Sequence, residues 1–357
     1  MPSATPSVGL GMTKVPNAAR LRNFLAQVSK STFSPWYRGD VSSSPRVSVV
    51  IPLYQKAPTV ERTLRSILEQ ELSSFEVIVV DDGSTDGGAA VANSLGDPRI
   101  RVLTQPNAGP GAARNRGTKE AQAPLVAYLD ADDTWDRTFL ERLVPLLEED
   151  PAPLLASCAY TLEPRAVSMV PFWRRRGVPE GIVRIGTDWT PQQVVATLAF
   201  ISPSTTVARR DAVLAAGGFY DRDRRLYGED SFLFLTILMN APVAIVMETH
   251  AHYFTDASAL ATRRSPRQIE PLFENAAELE AATEPRLRPL LRDVLAIRAG
   301  KTACVMSYWG RSSDARRLVR PFARLRDLRH AWVLLGHVSA SPVGTAAAGI
   351  VALLRPR

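Results

Sequence analysis

Four apolar runs, separated by helical patterns, follow one another between residues 47 and 130. The runs read VSVVIPLY, FEVIVV, IRVLTQ and PLVAYLD. After the first run, apolar residues recur at helical spacing, at Val60, Leu64, Ile67 and Leu68. A Gly/Ala-rich helix is indicated before the fourth run. Strands that alternate with helices in this way predict a mostly parallel sheet with helices on both faces.

Polar side chains stand where three of these predicted strands end. Tyr54 follows the first run, Asp81 and Asp82 follow the second, and Asp130 ends the fourth. Ligands of such sheets bind beyond the carboxyl ends of the strands. The DDGSTD stretch taken alone is equally compatible with ordinary turn chemistry. The joint occurrence at three strand ends indicates one ligand-binding crevice.

The stretch LVAYLDADD gathers three carboxylates within four residues. Neighbouring carboxylates repel one another unless a cation lies between them, so a bound metal is indicated. An alternative is that Asp133 or Asp136 caps the helix predicted in DRTFLERLVPLLEED. A cap would account for one acid and would leave Asp130 and Asp132 unexplained.

Five segments in order resemble the motifs of family 2 glycosyltransferases of the GT-A fold, of the nonprocessive bacterial type. They read VSVVIPLYQKAPTVERTLRSIL, FEVIVVDDGSTDG, NAGPGAARNRG, LVAYLDADD and GGFYDRDRRLYGEDSFLFL. The resemblance covers roughly residues 46–260 and implies an α/β fold, a mostly parallel sheet flanked by helices, with a C-terminal helical extension. We expect a flexible arm at 1–45, a catalytic domain at 46–262 and a helical region at 263–357. Within the catalytic domain, 46–135 would bind the nucleotide and 136–262 the acceptor.

The resemblance implies a nucleotide-diphosphate sugar donor, with a UDP-sugar favoured. By their motif positions, the base pocket would comprise Pro52, Tyr54 and Asp82. Arg114 matches an arginine that contacts the nucleotide, and Asp130 matches an acid that faces the ribose or the metal. Two further positions qualify this comparison. Gln55 stands where many relatives have Asn, which leaves the base open, and Asn115 is interpreted as structural.

The Asp130-Ala131-Asp132 segment matches the family's D-x-D motif, which implies Mn²⁺ or Mg²⁺ as the cofactor. Alternation along an extended segment directs Asp130 and Asp132 to the same side, and hard cations prefer such oxygen ligands. Asp132 is the expected direct ligand. His250 and His252 share one face of the predicted strand PVAIVMETHAHYF. His252 is the candidate third metal ligand, although a structural role for both histidines stays open.

The Gly228-Glu229-Asp230 segment matches the family's E-D motif. Inverting sugar transfer needs a base that takes the proton of the acceptor hydroxyl. The resemblance assigns this role to Asp230, with Glu229 as an acceptor or orienting contact. An acid favoured by the dipole at the start of the following helix is the alternative.

The acceptor is expected to contact residues 159–219, where Trp173 and Trp189 would stack on sugars or belong to the core. The Q-x-x-R-W element of processive synthases is absent from the sequence. We therefore predict transfer of one sugar to a carbohydrate or lipid-linked acceptor in polysaccharide or glycoconjugate biosynthesis. Residues 253–264 are interpreted as a lid that closes over the donor.

Two other classes of protein remain open. A sugar nucleotidyltransferase would carry a Gly-rich loop with Arg or Lys after the first strand, where this chain reads IPLYQKAPT. A noncatalytic sugar-nucleotide-binding scaffold would have no need of intact D-x-D and E-D elements.

The net charge of +7 is unevenly distributed along the chain. Residues 1–46 carry six Lys/Arg and one Asp, and residues 286–329 carry twelve Lys/Arg and three acids. With two further arginines at the C-terminus, residues 47–285 are left with a net charge of −9. Such an acidic core disfavours nucleic-acid binding. Two distant cysteines in apolar surroundings, and no signal-like apolar segment in the first 46 residues, predict a cytoplasmic protein.

The C-terminal segment 331–354 contains 24 residues without a charge and follows the arginine-rich stretch. Its length would suffice for a membrane span, but it is rich in Ala and Gly and contains a proline. We predict peripheral contact with the inner face of the cell membrane, where basic residues attract anionic lipids. The alternatives are helices that cover the catalytic domain or form a homodimer.

Overall fold

The structure is a computed structural model that describes residues 21, 23–24, 44–256, 269–323 and 329–341. The predicted arm at 1–45 lies almost entirely outside these residues. The same holds for most of the predicted lid, from residue 257 onwards, and for the end of the apolar C-terminal segment.

The described strands form one sheet of ten strands. They are β1 Val47–Leu53, β2 Phe75–Asp81, β3 Ile100–Thr104, β4 Leu125–Tyr128, β5 Thr134–Trp135, β6 Leu155–Glu163, β7 Val167–Ser168, β8 Gly181–Val183, β9 Thr206–Arg209 and β10 Val243–Phe254. The order across the sheet is β3-β2-β1-β4-β9-β6-β10-β5, with β7 beside β6 and β8 beside β10.

Helices cover both faces of this sheet, and a group of helices follows the last strand at the C-terminal side. They are α1 Ala57–Leu68, α2 Gly88–Ser94, α3 Pro110–Glu120, α4 Phe139–Leu143, α5 Pro145–Glu148, α6 Val170–Arg175, α7 Pro191–Phe200, α8 Arg210–Ala215, α9 Glu229–Leu238, α10 Pro271–Glu274, α11 Ala276–Ala282, α12 Arg288–Tyr308, α13 Ser312–Val319 and α14 Ala331–Ala340.

The first four strands are parallel, as the sequence predicts. β1 pairs with β2 on one side and with β4 on the other, and β2 pairs with β3. Successive residues of β1 enter different cores: Val49 and Ile51 pack on one face, Val50 on the other. Because β1 is apolar on both faces, it occupies an interior position in the sheet. The carboxyl ends of β1, β2 and β4 consequently meet at one edge.

The second half of the sheet is mixed. β9 is antiparallel to both β4 and β6, whereas the long strand β10 runs parallel to β6. β10 also pairs with the two-residue strand β5, where His252 lies opposite Thr134. This pairing attaches the chain just after the acidic stretch to the far half of the sheet.

The C-terminal helices pack against the predicted catalytic domain, residues 46–262. α12 contacts α7, α13 and α14, and its residues Leu291, Val294 and Ile297 belong to the core on one face of the sheet. Gly300 and Gly336 allow close approach of α12 and α14, since a Cβ at Gly336 would lie 2.7 Å from the Gly300 Cα. Among the described residues, no helix is long and apolar enough to cross a membrane.

Candidate active site

The residues predicted to form the base pocket lie in β1 and just beyond the ends of β1 and β2. Pro52 lies within β1, and the Tyr54 side chain just beyond it is 48% exposed. Asp82 is buried and accepts hydrogen bonds from Gln105 Nε2 and from the backbone N–H groups of Ala108 and Gly109, each at 2.8 Å. Asp82 thereby shapes the glycine-rich loop that leads into α3. Its contact with a nucleotide base stays a prediction.

Gln55 connects two loops at this edge. Its backbone is in the left-handed region, with φ of 53°. The side-chain Nε2 donates to Thr85 Oγ1 at 2.9 Å, and the backbone N–H donates to Ser84 Oγ at 3.2 Å. The amide of Gln55 therefore ties the segment after β1 to the DDGSTD turn.

Helix α1 holds the acidic turn that follows β4. Thr59 and Thr63 donate through their hydroxyl groups to the carbonyl oxygens of Ala131 and Asp133, both at 2.7 Å. Arg62 donates to the Asp132 carbonyl at 2.8 Å. Three side chains of one helix thus fix the backbone of the D-x-D segment.

Asp133 has a structural role in this turn. Its buried carboxylate accepts from Ser204 Oγ at 2.7 Å and from the backbone N–H of Phe254 at 3.2 Å. Burial, together with the charges of Asp130 and Asp132, raises the pKa of Asp133 well above its ordinary value. Asp133 therefore links β4 to the end of β10.

The hypothesis that Asp133 or Asp136 caps the following helix is wrong. The residue at the N-cap of α4 is Thr138. The reason is that Thr134 and Trp135 first form β5 with β10, which separates Asp133 from the helix start. The Asp136 carboxylate instead contacts His252.

The two D-x-D carboxylates face cations supplied by the protein. Asp130 Oδ1 accepts from Arg114 Nη2 at 2.6 Å, and Asp132 Oδ2 pairs with Lys56 Nζ at 2.6 Å. Burial and the charge of Asp130 raise the pKa of Asp132, an effect that Lys56 opposes. Two carboxylates close enough to repel, offering oxygen ligands alone, fit a hard divalent cation.

His252 is not brought to the D-x-D carboxylates within the described part of the chain. Its Nδ1 lies 2.7 Å from Thr161 Oγ1 and 3.3 Å from Glu163 Oε1, and its Nε2 lies 2.8 Å from Asp136 Oδ1. Both ring nitrogens are thus engaged, which favours the structural interpretation. In residues 44–256, 269–323 and 329–341, no three His, Cys, Asp or Glu side chains are grouped as a metal site.

Arg114 connects the D-x-D segment to the E-D segment. The guanidinium, 4% exposed, donates through Nη2 to Asp130 and through Nη1 to Glu229 Oε1 at 2.8 Å. Burial and the charge of Asp230 raise the pKa of Glu229 to about 7, against the opposing effect of Arg114. The two motifs that the sequence singled out therefore meet at one buried cation.

Asp230 lies in the first turn of α9, after Gly228, whose φ of 74° requires glycine. Its carboxylate accepts from the backbone N–H of Ser231 at 2.7 Å. Burial raises the pKa of Asp230, and the charges of Arg114 and Arg298 oppose that increase. The residue is half-buried, and its carboxylate is more basic than that of an ordinary aspartate.

Helix α3 is seated on the segment before the E-D motif. Asn115 exchanges two hydrogen bonds of 2.8 Å with the backbone of Phe219, in keeping with its predicted structural role. A Cβ at Gly111 would lie 2.2 Å from the Tyr220 carbonyl oxygen, so only glycine fits there. Trp173 is buried against Phe200 and Tyr160 and belongs to the core.

Three side chains at the candidate site escaped the sequence reasoning. Lys56 pairs with Asp132, and Ser204 both donates to Asp133 and accepts from the backbone N–H of Asp130 at 3.2 Å. Arg298 of α12 pairs with Glu270 and lies 3.4 Å from Ser231 Oγ. Lysine and serine in turn segments carry no local signal of these partners. The arginine was hidden among eleven other basic residues between 286 and 329.

Solved structures share this fold. S. aureus TarS 1-349 in complex with UDP-GlcNAc superposes with a TM-score of 0.53 and 17% identity, covering 85% of this chain and 92% of that one. The mannosyltransferase PcManGT from Pyrobaculum calidifontis, in complex with GDP-Man and Mn²⁺, superposes with a TM-score of 0.50 and 19% identity, covering 94% and 95%. The predicted GT-A class of fold is confirmed.

The sequence comparisons agree with the resemblance seen in the motifs. The profile described as Glycosyl transferase family 2 matches residues 48–213. The chain is 37% identical over 112 residues to the uncharacterized glycosyltransferase YibD of Escherichia coli K12, and 39% identical over 105 residues to the succinoglycan biosynthesis protein ExoO of Rhizobium meliloti. These matches cover 31% and 29% of this chain, and 33% and 30% of the relatives. Residues 48–213 therefore match the profile of this family, and the chain spans about a third of the length of these relatives.

Proposed function

We propose that this protein transfers one sugar from a nucleotide-diphosphate donor, with a UDP-sugar favoured, to a carbohydrate or lipid-linked acceptor. The transfer would be metal-dependent and inverting, and would serve polysaccharide or glycoconjugate biosynthesis. The observation that carries the proposal is the buried Arg114, which binds Asp130 of the D-x-D segment and Glu229 of the E-D segment. This shared cation supports the proposal that donor and acceptor bind in one crevice.

The donor side of the proposal rests on the D-x-D carboxylates. Asp132 would hold Mn²⁺ or Mg²⁺, with Asp130 beside it. His252 is left out because its nitrogens contact Thr161, Glu163 and Asp136. Such an ion neutralises negative charge that develops on a departing diphosphate. A solved structure with the same fold contains Mn²⁺ and GDP-Man, which supports a divalent cation.

The acceptor side rests on Asp230. In the proposed reaction its carboxylate takes the proton of the acceptor hydroxyl while that oxygen attacks the anomeric carbon opposite the diphosphate. A raised pKa makes the carboxylate a stronger base, which suits this role. Glu229, held by Arg114, would orient Asp230 and the acceptor.

We also propose peripheral contact with the inner face of an anionic membrane, through α14. This helix carries no charge, buries Val333, Gly336 and Ala340, and exposes a second apolar face. The exposed side chains are Trp332, Leu334, Leu335 and Val338, between 44% and 52% accessible. Lys301 Nζ lies 5.3 Å from the centroid of the Trp332 ring. Lys301 belongs to the sequence segment 286–329, whose net charge is +9. Apolar side chains beside cations suit an interface with anionic lipids.

The direct test of the function is a screen of the purified full-length chain against UDP-, GDP- and dTDP-sugars, with MnCl₂ or MgCl₂. We expect one class of donor to raise the melting temperature and to be hydrolysed slowly to the nucleoside diphosphate. Release of pyrophosphate from a sugar phosphate and a nucleoside triphosphate would indicate a nucleotidyltransferase. Donor binding without turnover, even with acceptor-containing membrane extracts, would indicate a scaffold.

A further inference from the structure

Lys56 is placed to influence how the crevice binds a metal. The lysine lies between the end of β1 and the start of α1, and its Nζ is 2.6 Å from Asp132 Oδ2. The two side chains are only 20% and 13% exposed. Helix α1 also fixes the Asp132 carbonyl through Arg62. The backbone of Asp132 is therefore held beside the helix start that carries Lys56.

Asp132 lies in a turn with other acids, where Lys56 neutralises part of the negative charge. Asp130 and Asp133 add negative charge on the same turn, and the Arg114 guanidinium is directed to Asp130 and Glu229. A divalent cation bound by Asp132 Oδ2 would take the place that the Lys56 ammonium occupies. Two cations at one carboxylate oxygen repel each other, so the ammonium must leave when the metal binds.

We propose that Lys56 is the resident counter-cation of Asp132, and that the metal displaces it onto the diphosphate of the donor. This inference rests on the proposed function, since it needs a metal and a nucleotide at this site. The diphosphate is the anion expected at this edge, and an ammonium displaced from Asp132 can donate to it. Metal and nucleotide then bind with positive cooperativity: each strengthens the binding of the other by the same factor.

The proposal makes opposite predictions for metal alone and for metal with nucleotide. Without nucleotide, Lys56→Met frees Asp132, and Mn²⁺ binds more tightly than to the wild type. With nucleotide, the variant lacks the ammonium that holds the diphosphate, so the gain in Mn²⁺ affinity on adding nucleotide is reduced. Coupling of this kind typically amounts to about 5-fold to 150-fold. We expect the wild type to fall in that range and the variant to show a smaller coupling, which then comes from the attraction between metal and diphosphate alone.

The experiment is isothermal titration of the full-length chain with MnCl₂, alone and with saturating UDP or GDP. Lys56→Met and Lys56→Gln are compared with the wild type and with Lys119→Met, which removes the same charge from an exposed position on α3. Thermal unfolding establishes that each variant is folded, and Lys56→Gln provides the measurement if Lys56→Met does not fold.

The outcomes separate this inference from the function on which it rests. Tighter Mn²⁺ binding without nucleotide and reduced coupling in both Lys56 variants, with Lys119→Met unchanged, support the inference. Mn²⁺ binding and coupling that are the same in the Lys56 variants and the wild type overturn it while leaving the metal-dependent function intact. A wild type that binds no Mn²⁺ with either nucleotide contradicts the metal dependence itself, and the role of Lys56 with it.

Discussion

Arg114 and Glu229, which are 115 positions apart in the sequence, form a buried ion pair of 2.8 Å. The arginine belongs to α3, and the glutamate begins α9. The same guanidinium also holds Asp130. One side chain thus sets the position of acids from both the D-x-D and the E-D segments.

Replacing Arg114 by methionine is expected to lower the free energy of unfolding by about 3 to 5 kcal/mol, because it leaves buried carboxylates without their cation. Chemical denaturation of the variant measures this loss. Arg116→Met is the control, since that guanidinium donates to the Thr104 carbonyl at an exposed position of the same helix. Equal losses in the two variants would mean that the buried ion pairs of Arg114 stabilise the fold no more than the exposed hydrogen bond of Arg116 does.

Glu229 should make stability depend on pH. Its pKa is raised from an ordinary 4.5 to about 7 in the folded chain, so the folded state binds the proton more tightly than the unfolded state. The stabilisation from this group is complete below pH 4.5 and is lost as pH rises through 7. We expect the change to be on the order of 2 to 3 kcal/mol.

Glu229→Gln removes that titration. Denaturation at pH 4.5 and pH 7.5 should therefore give a smaller difference in unfolding free energy for the variant than for the wild type. The comparison uses the difference between the two pH values, because the lost contact with Arg114 lowers stability at both. An unchanged pH dependence would show that Glu229 titrates normally.

Asp230→Asn is expected to leave donor binding nearly intact and to lower kcat by roughly a hundredfold to ten-thousandfold, the range that a general base contributes. Steady-state kinetics with the donor from the screen, together with calorimetric binding of that donor, separates the two effects. Glu280→Gln, at an exposed position on α11, controls for the charge change. Parallel loss of affinity and turnover would identify Asp230 as a binding residue.

Asp132→Asn is expected to abolish metal-dependent turnover, because a neutral amide is a poor ligand for a hard cation. The measurement is turnover across a MnCl₂ titration, with and without a chelator. Glu280→Gln, which removes a charge from an exposed position on α11, should behave as the wild type. Activity of the wild type that survives excess chelator would remove the metal from the reaction.

The apolar face of α14 should bind anionic vesicles. Full-length protein is expected to sediment with phosphatidylcholine–phosphatidylglycerol vesicles at low salt, and less with phosphatidylcholine alone. Replacing Trp332 and Leu335 by serine should weaken this binding by roughly tenfold or more, because each large apolar side chain contributes about 1.5 kcal/mol or more when buried.

Ile182→Ser is the matched control for that experiment, since Ile182 is 52% exposed on the edge strand β8. If the wild type does not bind vesicles and elutes as a dimer that the double substitution dissociates, a second copy of the chain covers the face. That result would favour the homodimer over the membrane.

Local pattern was sufficient to predict the parallel half of the sheet. In β1, residues of both faces are apolar because both faces are covered, and this is visible in the sequence. The E-D acids also begin α9 as expected, since ten largely apolar residues follow them directly. In both cases the signal and the structure lie within the same short segment.

Pairs of distant residues could not be predicted in this way. Lys56 and Asp132 are separated by 76 positions, and their contact depends on how α1 packs on the turn after β4. The partners of His252 depend on the register between β10, β6 and β5. Spacing alone makes two histidines on one face resemble metal ligands. In the folded chain, the partners of His252 are Thr161 and Asp136 instead.

The pair formed by Arg298 and Glu270 has a consequence for how the protein can be divided or recombined. Arg298 comes from α12, yet its charge acts on Asp230 and its guanidinium reaches Ser231 in the first turn of α9. A chimera that exchanges the C-terminal helices with those of a relative would therefore also exchange the electrostatic setting of the proposed base. The C-terminal region is then part of the catalytic unit, and swapping it should alter the pH profile of turnover.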